Sequence, residues 1–322
     1  MASTTNKISQ LERKLNILLV VNVILIIAVV VVAVYLLWWP QLKLVIYGAP
    51  FGKTEAGIDT QLTSSQLGVI NGAPNSYFET AGEKLLNGTL TDEISVVNAI
   101  KVSPVIVGGK PSVVYIGAIS CIFCGENRWA MALALSRFGN FSALYNGYSS
   151  FGDDDVPTLY WKWNNYTTAS GATYGNYYQS PYINFYSIEY DSPINGSFQM
   201  QPISYFITKA PNATYAAVAS YINATGKFQG TPFTLWGSAI VTGADGVVFG
   251  NSTPTSSVIP LTNETHADVL NQLQSFNDQF AWGEYAAADV YIADLCPSIG
   301  NSAPICALPA IRSIGAIMGL SS

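Results

Sequence analysis

Two cysteines, Cys121 and Cys124, are separated by Ile-Phe where an apolar segment meets a helical one. The preceding segment, 111–120, has the composition of a buried strand, and the following segment, 125–138, that of a helix. A helix N-terminus carries a positive partial charge, which stabilises a thiolate. The pattern therefore predicts a strand–helix unit with a reversible dithiol–disulfide pair at its junction.

Within this pair, Cys121 is predicted to be the more exposed, attacking thiol, and Cys124, one turn into the helix, the resolving thiol. A permanently closed structural disulfide is the alternative, since Ile-Phe is an unusual apolar dipeptide for this position. A zinc site is disfavoured, because nine residues separate the other two cysteines, Cys296 and Cys306, and the chain has a single histidine. We therefore expect no metal and no cofactor.

An uncharged segment of 25 residues, 15–39, precedes the cysteines and ends in Trp38 and Trp39, with Pro40 following. About 20 helical residues cross a bilayer, and tryptophan favours its interface, so the segment predicts a single transmembrane helix. A cleaved signal peptide is the alternative, but the apolar stretch is long for one and no Ala-x-Ala site follows it.

Basic residues before this helix, Lys7, Arg13 and Lys14, are offset only by Glu12. Positive charge stays on the cytoplasmic side, so residues 40–322 are expected outside the membrane. Eight Asn-x-Ser/Thr sequons follow the helix and predict N-glycosylation of a surface domain. Their asparagines are Asn87, Asn140, Asn165, Asn195, Asn212, Asn223, Asn251 and Asn263.

The charge balance excludes one large class of partner. Charged residues make up 11% of the chain and the formal net charge is −6. Without a basic stripe the chain cannot neutralise phosphates, so nucleic acid is not an expected partner.

Several further strands are expected. Segment 141–148 is predicted to follow the helix and to pair in parallel with the strand at 111–120, which would make a β-α-β unit. Segment 182–190 alternates as another strand. Segments 234–241 and 247–249, joined through Gly-Ala-Asp-Gly, predict a β-hairpin.

Three helices are expected after the cysteines and their helix. They cover 213–222, 266–280 and 282–295, with Thr262 or Asn263 as the N-cap of the second.

The other residues that could be functional can each be explained by a structural role as well. His266 is interpreted as a solvated surface residue. Glu126 is interpreted as an acid stabilising the helix dipole, with proton transfer to Cys124 as the alternative. Residues 153–155 are interpreted as a hydrated acidic loop rather than a calcium site. The aromatic segment 160–178 is expected to pack in the core rather than to bind carbohydrate or a partner.

Cys296 and Cys306 are expected to form a structural disulfide that holds the segment 307–320 against the domain. The bridge would close a loop of 11 residues, a constraint worth about 3 kcal/mol in the loop-entropy account. A second redox pair that relays electrons is the alternative.

The segment 113–130, with Glu-Asn-Arg-Trp at 126–129, resembles the active-site region of an archaeal family of membrane-anchored, thioredoxin-like proteins of unknown function. Thr-Pro-Phe at 231–233 and the late pair Cys296 and Cys306 are also similar to that family's pattern. The chain departs from it in one respect, because Ile-Phe replaces the Pro-containing dipeptide that is more usual there.

The resemblance covers most of 40–310 and implies a thioredoxin-like fold outside the cytoplasm. It also implies that the bond between Thr231 and Pro232 is cis and faces the dithiol, with Thr231 offering its backbone to an extended substrate. An ordinary trans turn is the alternative for this dipeptide.

We therefore expect an α/β protein, a thioredoxin-like domain with an insertion after a single transmembrane helix, that catalyses thiol–disulfide exchange. It would sit in the cell membrane with its N-terminus cytoplasmic and act as oxidoreductase or isomerase on secreted or surface proteins. The alternative is a non-catalytic, glycosylated surface scaffold with structural disulfides. The predicted parts are a cytoplasmic tail (1–14), the transmembrane helix (15–39), a neck and N-terminal extension (40–110), the thioredoxin-like domain (111–281) with its insertion at about 149–230, and a C-terminal helix with a disulfide-stapled tail (282–322).

Overall fold

The structure, a computed structural model, divides the chain into two units, Met1–Ala49 and Pro50–Ser322. The residues that it describes are 13–32, 49–50, 60–90, 94–95, 100–101, 104–149, 155–161, 177–189, 191–194, 197–200, 232–237, 239–242, 248–249, 261 and 264–320. The predicted helix 213–222 lies outside them.

In the first unit the structure describes residues 13–32 as one helix, α1, at Arg13–Val32. An 18-residue window of α1 has a mean hydropathy of 3.2, and the helix is long and apolar enough to cross a membrane. A signal sequence near an N-terminus has the same character, so length and composition establish a candidate span and not its topology.

The second unit mixes helices and strands. Its helices are α2 (Ser64–Asn71), α3 (Asn75–Leu86), α4 (Ile122–Leu135), α5 (His266–Ser275), α6 (Gln279–Ser298) and α7 (Pro309–Ile317), with a 3₁₀ turn at Pro304–Ala307. The strands, numbered along the whole chain, are β1 (Ala49–Pro50), β2 (Ile94–Ser95), β3 (Ile100–Lys101), β4 (Ile106–Val107), β5 (Lys110–Gly117), β6 (Asn140–Phe141), β7 (Tyr145–Tyr148), β8 (Pro157–Tyr160), β9 (Tyr178–Gln179), β10 (Asn184–Glu189), β11 (Asp191–Ile194), β12 (Ser197–Met200), β13 (Phe233–Trp236), β14 (Ala239–Thr242) and β15 (Val248–Phe249).

Strand β5 is the centre of the main sheet, whose order is β10-β5-β13-β14-β3, with β4 also pairing with β5. Its residues 113–116 are fully buried, as expected of a strand that is covered on both faces. Strand β10 runs parallel to β5, with Asn184 opposite Ser112, and β13 runs antiparallel, with Phe233 opposite Ile116.

The predicted parallel partner of the central strand was wrong. Segment 141–148 is not one strand, because the backbone of Ser142 bonds to Tyr177 and the carbonyl of Leu144 accepts from the amide of Leu62. Its second half, β7, instead forms an antiparallel hairpin with β8. The parallel partner of β5 is β10, which lies inside the range 149–230 that was expected to be an insertion.

The predicted hairpin after Pro232 was also misplaced. Strands β13 and β14 pair with Trp236 opposite Ala239, so the turn is at 237–238. Gly237 has a φ of +52°, a conformation that two-residue hairpin loops require and glycine adopts without strain. Strand β15, the expected second arm, pairs with β2 instead.

Helix α5 begins at His266, as predicted, but its N-cap is not one of the expected residues. Its N-cap is Thr265, not Thr262 or Asn263. The Thr265 hydroxyl accepts from the Asp268 amide at 3.2 Å, and the Asp268 carboxylate accepts from the Thr265 amide at 3.0 Å. This reciprocal capping fixes the start of the helix.

The aromatic segment 160–178 packs in the core where it is described, as expected. Trp161 is 1% exposed and meets Tyr115 edge-on, with ring centroids 5.0 Å apart. It meets Phe185 of β10 in the same way at 5.1 Å. These contacts attach the segment to both central strands.

Helix α6 is the core of the helical layer and packs against α3, α4 and α7. Tyr291 of α6 stacks on Trp236 of β13, with centroids 4.4 Å apart, and donates a hydrogen bond to Asn127 of α4 at 2.7 Å. The same helix carries three buried carboxyl groups, on Glu284, Asp289 and Asp294.

Within the part of the chain that the structure describes, Asp294 has no hydrogen-bond partner, and only weak backbone contacts with Ala130 and Gly82 reach Glu284 and Asp289, respectively. Burial raises the pKa of Asp294 to about 8. Burial also raises the pKa of Glu284, with a further contribution from Glu126, and that of Asp289, with a further contribution from Glu79. The core therefore holds these acids in their protonated form.

The contact between α3 and α6 depends on a glycine. A Cβ at Gly82 would lie 2.7 Å from the Cβ of Ala310 and 3.0 Å from a carboxylate oxygen of Asp289. Gly82→Ala is therefore expected to lower the free energy of unfolding by about 1–3 kcal/mol, because the core must shift to admit the methyl group. Chemical denaturation measures the change.

The matched control for Gly82→Ala is Gly68→Ala in helix α2. A Cβ at Gly68 would meet nothing within 4 Å, so this variant is expected to gain about 0.5–1 kcal/mol from helix propensity. Equal stabilities of the two variants would contradict the proposed close approach.

Stability is expected to decrease as pH rises. A carboxyl group whose folded pKa lies above its unfolded value of about 4 stabilises the fold fully below pH 4. For Asp294 the contribution is lost as pH rises towards about 8. Chemical denaturation between pH 4 and 8 should show this fall in the free energy of unfolding. In Asp294→Asn the fall over the same range should be smaller by at least about 1 kcal/mol.

A suitable control for the pH series is Asp268→Asn. Asp268 is exposed, and its hydrogen bonds to Thr265 lower its pKa, so its contribution is lost only as pH falls below the usual carboxyl range. This variant should keep the wild-type decline between pH 4 and 8. If the stability of the wild-type protein were constant between pH 4 and 8, the raised pKa of Asp294 would be contradicted.

Candidate functional site

The two cysteines lie where β5 passes into α4. Cys121 is the N-cap of α4 and is partly exposed, whereas Cys124, in the first turn, is fully buried. The Cys121 amide donates to the Ala118 carbonyl at 3.2 Å, and the Cys121 carbonyl accepts from the Gly125 amide at 2.9 Å. The predicted difference in exposure between the two thiols is therefore present, and the helix begins three residues earlier than expected.

Neither cysteine forms a disulfide, and the two thiols hydrogen-bond to each other. Burial is the largest cause that raises the pKa of Cys124, followed by its hydrogen bond to Cys121 and the charge of Cys121. The Arg128 guanidinium and a backbone hydrogen bond from Ala118 act in the opposite direction and lower that pKa. The buried sulfur therefore holds its proton more strongly than an ordinary thiol does.

Arg128 is fully buried one helical turn after Cys124. Its Nη2 donates to the Ala118 carbonyl at 2.7 Å and its Nη1 to the Thr158 hydroxyl at 3.2 Å. Its guanidinium carbon also lies 5.4 Å from the centre of the Tyr115 ring, within the range of a cation–π contact. This side chain joins the strand, the turn at 118–120 and the β7–β8 hairpin.

The β7–β8 hairpin covers the start of α4. The Thr158 hydroxyl donates to the Gly125 carbonyl at 2.9 Å, and the Trp129 indole donates to the Pro157 carbonyl at 3.0 Å. A Cβ at Gly125 would lie 3.2 Å from a methyl group of Val156. The hairpin thus lies directly on the turn that contains Cys124.

The interpretation of His266 as a solvated surface residue was wrong. His266 is 6% exposed, and its Nε2 lies 2.8 Å from the Gly147 carbonyl and 2.9 Å from the Thr158 carbonyl. Both neighbours are acceptors, so Nε2 carries the proton. His266 therefore ties both strands of the hairpin to the start of α5.

Glu126 is also more buried than an ordinary dipole-stabilising acid. It is 3% exposed, and burial raises its pKa. Its charge raises the pKa of Glu284 on the facing helix. Glu126 is two residues from Cys124, a spacing that does not place two side chains on one helix face.

Pro232, the predicted substrate-binding proline, is buried directly before β13. Continuing the β13–β5 register from Phe233 opposite Ile116 places Pro232 opposite Gly117, where the chain leaves β5 towards Cys121. Pro232 therefore lies at the same end of the sheet as the cysteines. Thr231 lies outside the described residues.

Cys296 and Cys306 are joined by a disulfide and are both buried. The bond links the end of α6 to the 3₁₀ turn before α7, and it lines a cavity of about 590 Å³ together with Ile311 and Arg312. Because these sulfurs bond to each other, they do not combine with Cys121 and Cys124 into a four-cysteine site.

Two of the predicted glycosylation sites, Asn87 and Asn140, are described, and both are exposed. The side-chain oxygen of Asn87 accepts from the Thr89 hydroxyl of the same sequon at 2.6 Å. The following predicted positions lie outside the described residues: Asn165, Asn195, Asn212, Asn223, Asn251, Asn263, Asp153 and Asp154.

Sequence analysis did not assign Arg128, Thr158 or His266 to this site. Two signals were available for Arg128: its place in the Glu-Asn-Arg-Trp motif, and its spacing of four residues after Cys124, which puts both side chains on one helix face. No sequence signal indicated Thr158 or His266, because they reach α4 through tertiary packing of distant segments.

The comparisons with known proteins give a family and no function. Residues 98–296 match a protein family described as a domain of unknown function, DUF929. No curated protein and no solved structure matches the chain. The match includes Cys121, Cys124, Arg128 and Pro232 and covers more than half of the 322 residues. The chain therefore belongs to the DUF929 family.

Proposed function

We propose that this protein is a membrane-anchored thiol–disulfide oxidoreductase or isomerase with a thioredoxin-like domain outside the cytoplasm. The observation that carries the proposal is the cysteine pair itself. A partly exposed Cys121 caps a 14-residue helix and hydrogen-bonds to a buried Cys124. A helix N-terminus favours a thiolate, so in this proposal Cys121 attacks the substrate and Cys124 resolves the mixed disulfide.

The strand order supports the thioredoxin-like part of the proposal. A central strand leads into a Cys-x-x-Cys helix, with a parallel strand on one side and an antiparallel hairpin on the other. Pro232 at the start of that hairpin lies at the same sheet end as Cys121. Helix α1 would supply the anchor, and the basic residues before it favour a cytoplasmic N-terminus.

The proposed reaction proceeds in two exchanges. The Cys121 thiolate attacks one sulfur of a substrate disulfide, which forms a mixed disulfide and releases the other substrate sulfur as a thiolate. Cys124 then loses its proton and attacks Cys121 Sγ, which releases the second substrate sulfur. Two electrons and two protons pass to the substrate, and the Cys121–Cys124 disulfide forms. The reverse sequence oxidises a substrate dithiol.

The proposed partners are secreted or surface proteins that contain thiols or disulfides. The non-catalytic glycosylated scaffold is the competing function, and the exposed sequons at Asn87 and Asn140 and the complete burial of Cys124 favour it. In that function Cys121 would form no adduct with a substrate.

The exchange activity is tested on the full chain in detergent with a scrambled disulfide substrate. Cys121→Ser is expected to reduce the refolding rate to background, because the attacking sulfur is lost. Cys124→Ser is expected to accumulate a mixed disulfide at Cys121, because the resolving sulfur is lost. Mass spectrometry under non-reducing conditions identifies the adduct.

The control replaces the other pair, with Cys296→Ala and Cys306→Ala together, and circular dichroism verifies the fold. This double variant should keep the exchange activity, since the proposal assigns it to Cys121 and Cys124 alone. Equal refolding rates for wild type and Cys121→Ser would rule out the oxidoreductase and leave the scaffold function.

A further inference from the structure

Arg128 and Cys124 form one buried group on the first two turns of α4. They are four residues apart, so their side chains project from the same helix face. Both are fully buried, and the guanidinium charge favours the ionised form of the thiol. A cation at this position acts on the sulfur through a medium that screens charge weakly.

The backbone of Ala118 connects the guanidinium to both sulfur-bearing residues. Its carbonyl accepts from Arg128 Nη2 at 2.7 Å and from the Cys121 amide at 3.2 Å. Its backbone also hydrogen-bonds to the Cys124 sulfur. Arg128 therefore holds the turn whose peptide groups contact the thiol pair.

We propose that Arg128 is a positioning residue for the resolving step, in which its guanidinium stabilises the negative charge that develops on Cys124 Sγ as this sulfur attacks the mixed disulfide. The proposal rests on the exchange activity proposed above and adds the group that assists the second exchange, in which Cys124 resolves the mixed disulfide. Arg128 itself touches neither substrate nor the bond that breaks.

The charge on Cys121 changes between the two exchanges. In the reduced protein, the hydrogen bond to Cys121 and the charge of Cys121 keep the proton on Cys124. When Cys121 enters a mixed disulfide, it loses that charge, and burial alone still opposes ionisation of Cys124. Arg128 and the Ala118 backbone then favour the thiolate, so ionisation of the resolving sulfur is opposed less strongly once substrate is bound.

The resolving step balances without an added reagent. The Cys124 proton leaves to solvent, the Cys124 sulfur bonds to Cys121 Sγ, and the bond between Cys121 and the substrate sulfur breaks. The substrate sulfur leaves with the electron pair and takes a proton from solvent.

The groups packed around this pair come from three elements. Strand β5 places the Tyr115 ring under the guanidinium, and the β7–β8 hairpin supplies the uncharged Thr158. On α4 itself, Glu126 acts on Glu284 and does not contribute to the pKa of Cys124. Among the residues that the structure describes, Cys121 and Arg128 are the groups whose charges affect the Cys124 thiol.

The test follows both exchanges of the full chain in detergent after mixing with oxidised glutathione. Acid quenching and mass spectrometry give the rate at which the glutathione adduct of Cys121 forms and the rate at which it resolves. Arg128→Gln and Arg128→Met remove the charge, and methionine suits a buried site of similar volume if glutamine disrupts the fold. Either variant should resolve the adduct about tenfold more slowly at pH 7, with a pH profile displaced upwards by about one unit.

Rescue and a matched control separate charge from structure. Arg128→Lys keeps the cation and should restore resolution to within about threefold of wild type. Arg137→Gln removes another largely buried guanidinium, which donates to the carbonyls of Ala73 and Asn71, and should change neither rate. The rate of adduct formation should stay within about twofold in every variant, because Cys121 keeps its position at the helix N-terminus.

Wild-type resolution rates and pH profiles in the folded neutral variants would overturn the role of Arg128 and leave the exchange activity intact. Equal slowing by Arg137→Gln would overturn it too, because the effect would then be one of general stability. A wild-type chain that forms no adduct at Cys121 would overturn the proposed function and this inference together.

Discussion

The bond between the Arg128 guanidinium and the Ala118 carbonyl holds together the parts that make up the cysteine site. It fixes the turn between β5 and α4, and through Thr158 the same guanidinium reaches the β7–β8 hairpin. Burying a guanidinium costs desolvation free energy, which the hydrogen bonds that it makes inside the protein must offset. The turn that precedes Cys121 and the hairpin that covers Cys124 therefore share one hydrogen-bonding side chain.

The opposite side of α4 has the opposite electrostatic character. Glu126 faces Glu284, and burial favours the protonated form of both. One helix therefore separates a buried cation that favours a thiolate from buried acids that are neutral when protonated. The fold is therefore expected to be most stable where the carboxyl groups are protonated. The proposed exchange instead needs a thiolate, which a helix N-terminus and the Arg128 charge both favour.

The sequence predicted the local structure around the cysteines but not its surroundings. The apolar run before Cys121 and the helical composition after Cys124 were enough, because both are short-range patterns. The parallel partner of β5 could not be predicted, since β10 pairs across a long insertion and its pattern is no stronger than that of 141–148. The burial of His266 was equally inaccessible, because its partners at Gly147 and Thr158 come from a distant hairpin.

The dipeptide between the cysteines shows how the site compensates for a missing proline. A proline there would fix the first helical φ angle. Ile122 is instead 8% exposed and belongs to the core, and the partly buried Phe123 packs against the same core. Burial of two apolar side chains anchors the first turn through packing where proline would do so through its ring. It also leaves both backbone amides of the dipeptide present at the helix start, so the N-terminus that faces Cys121 keeps two donors, one of which a proline would remove.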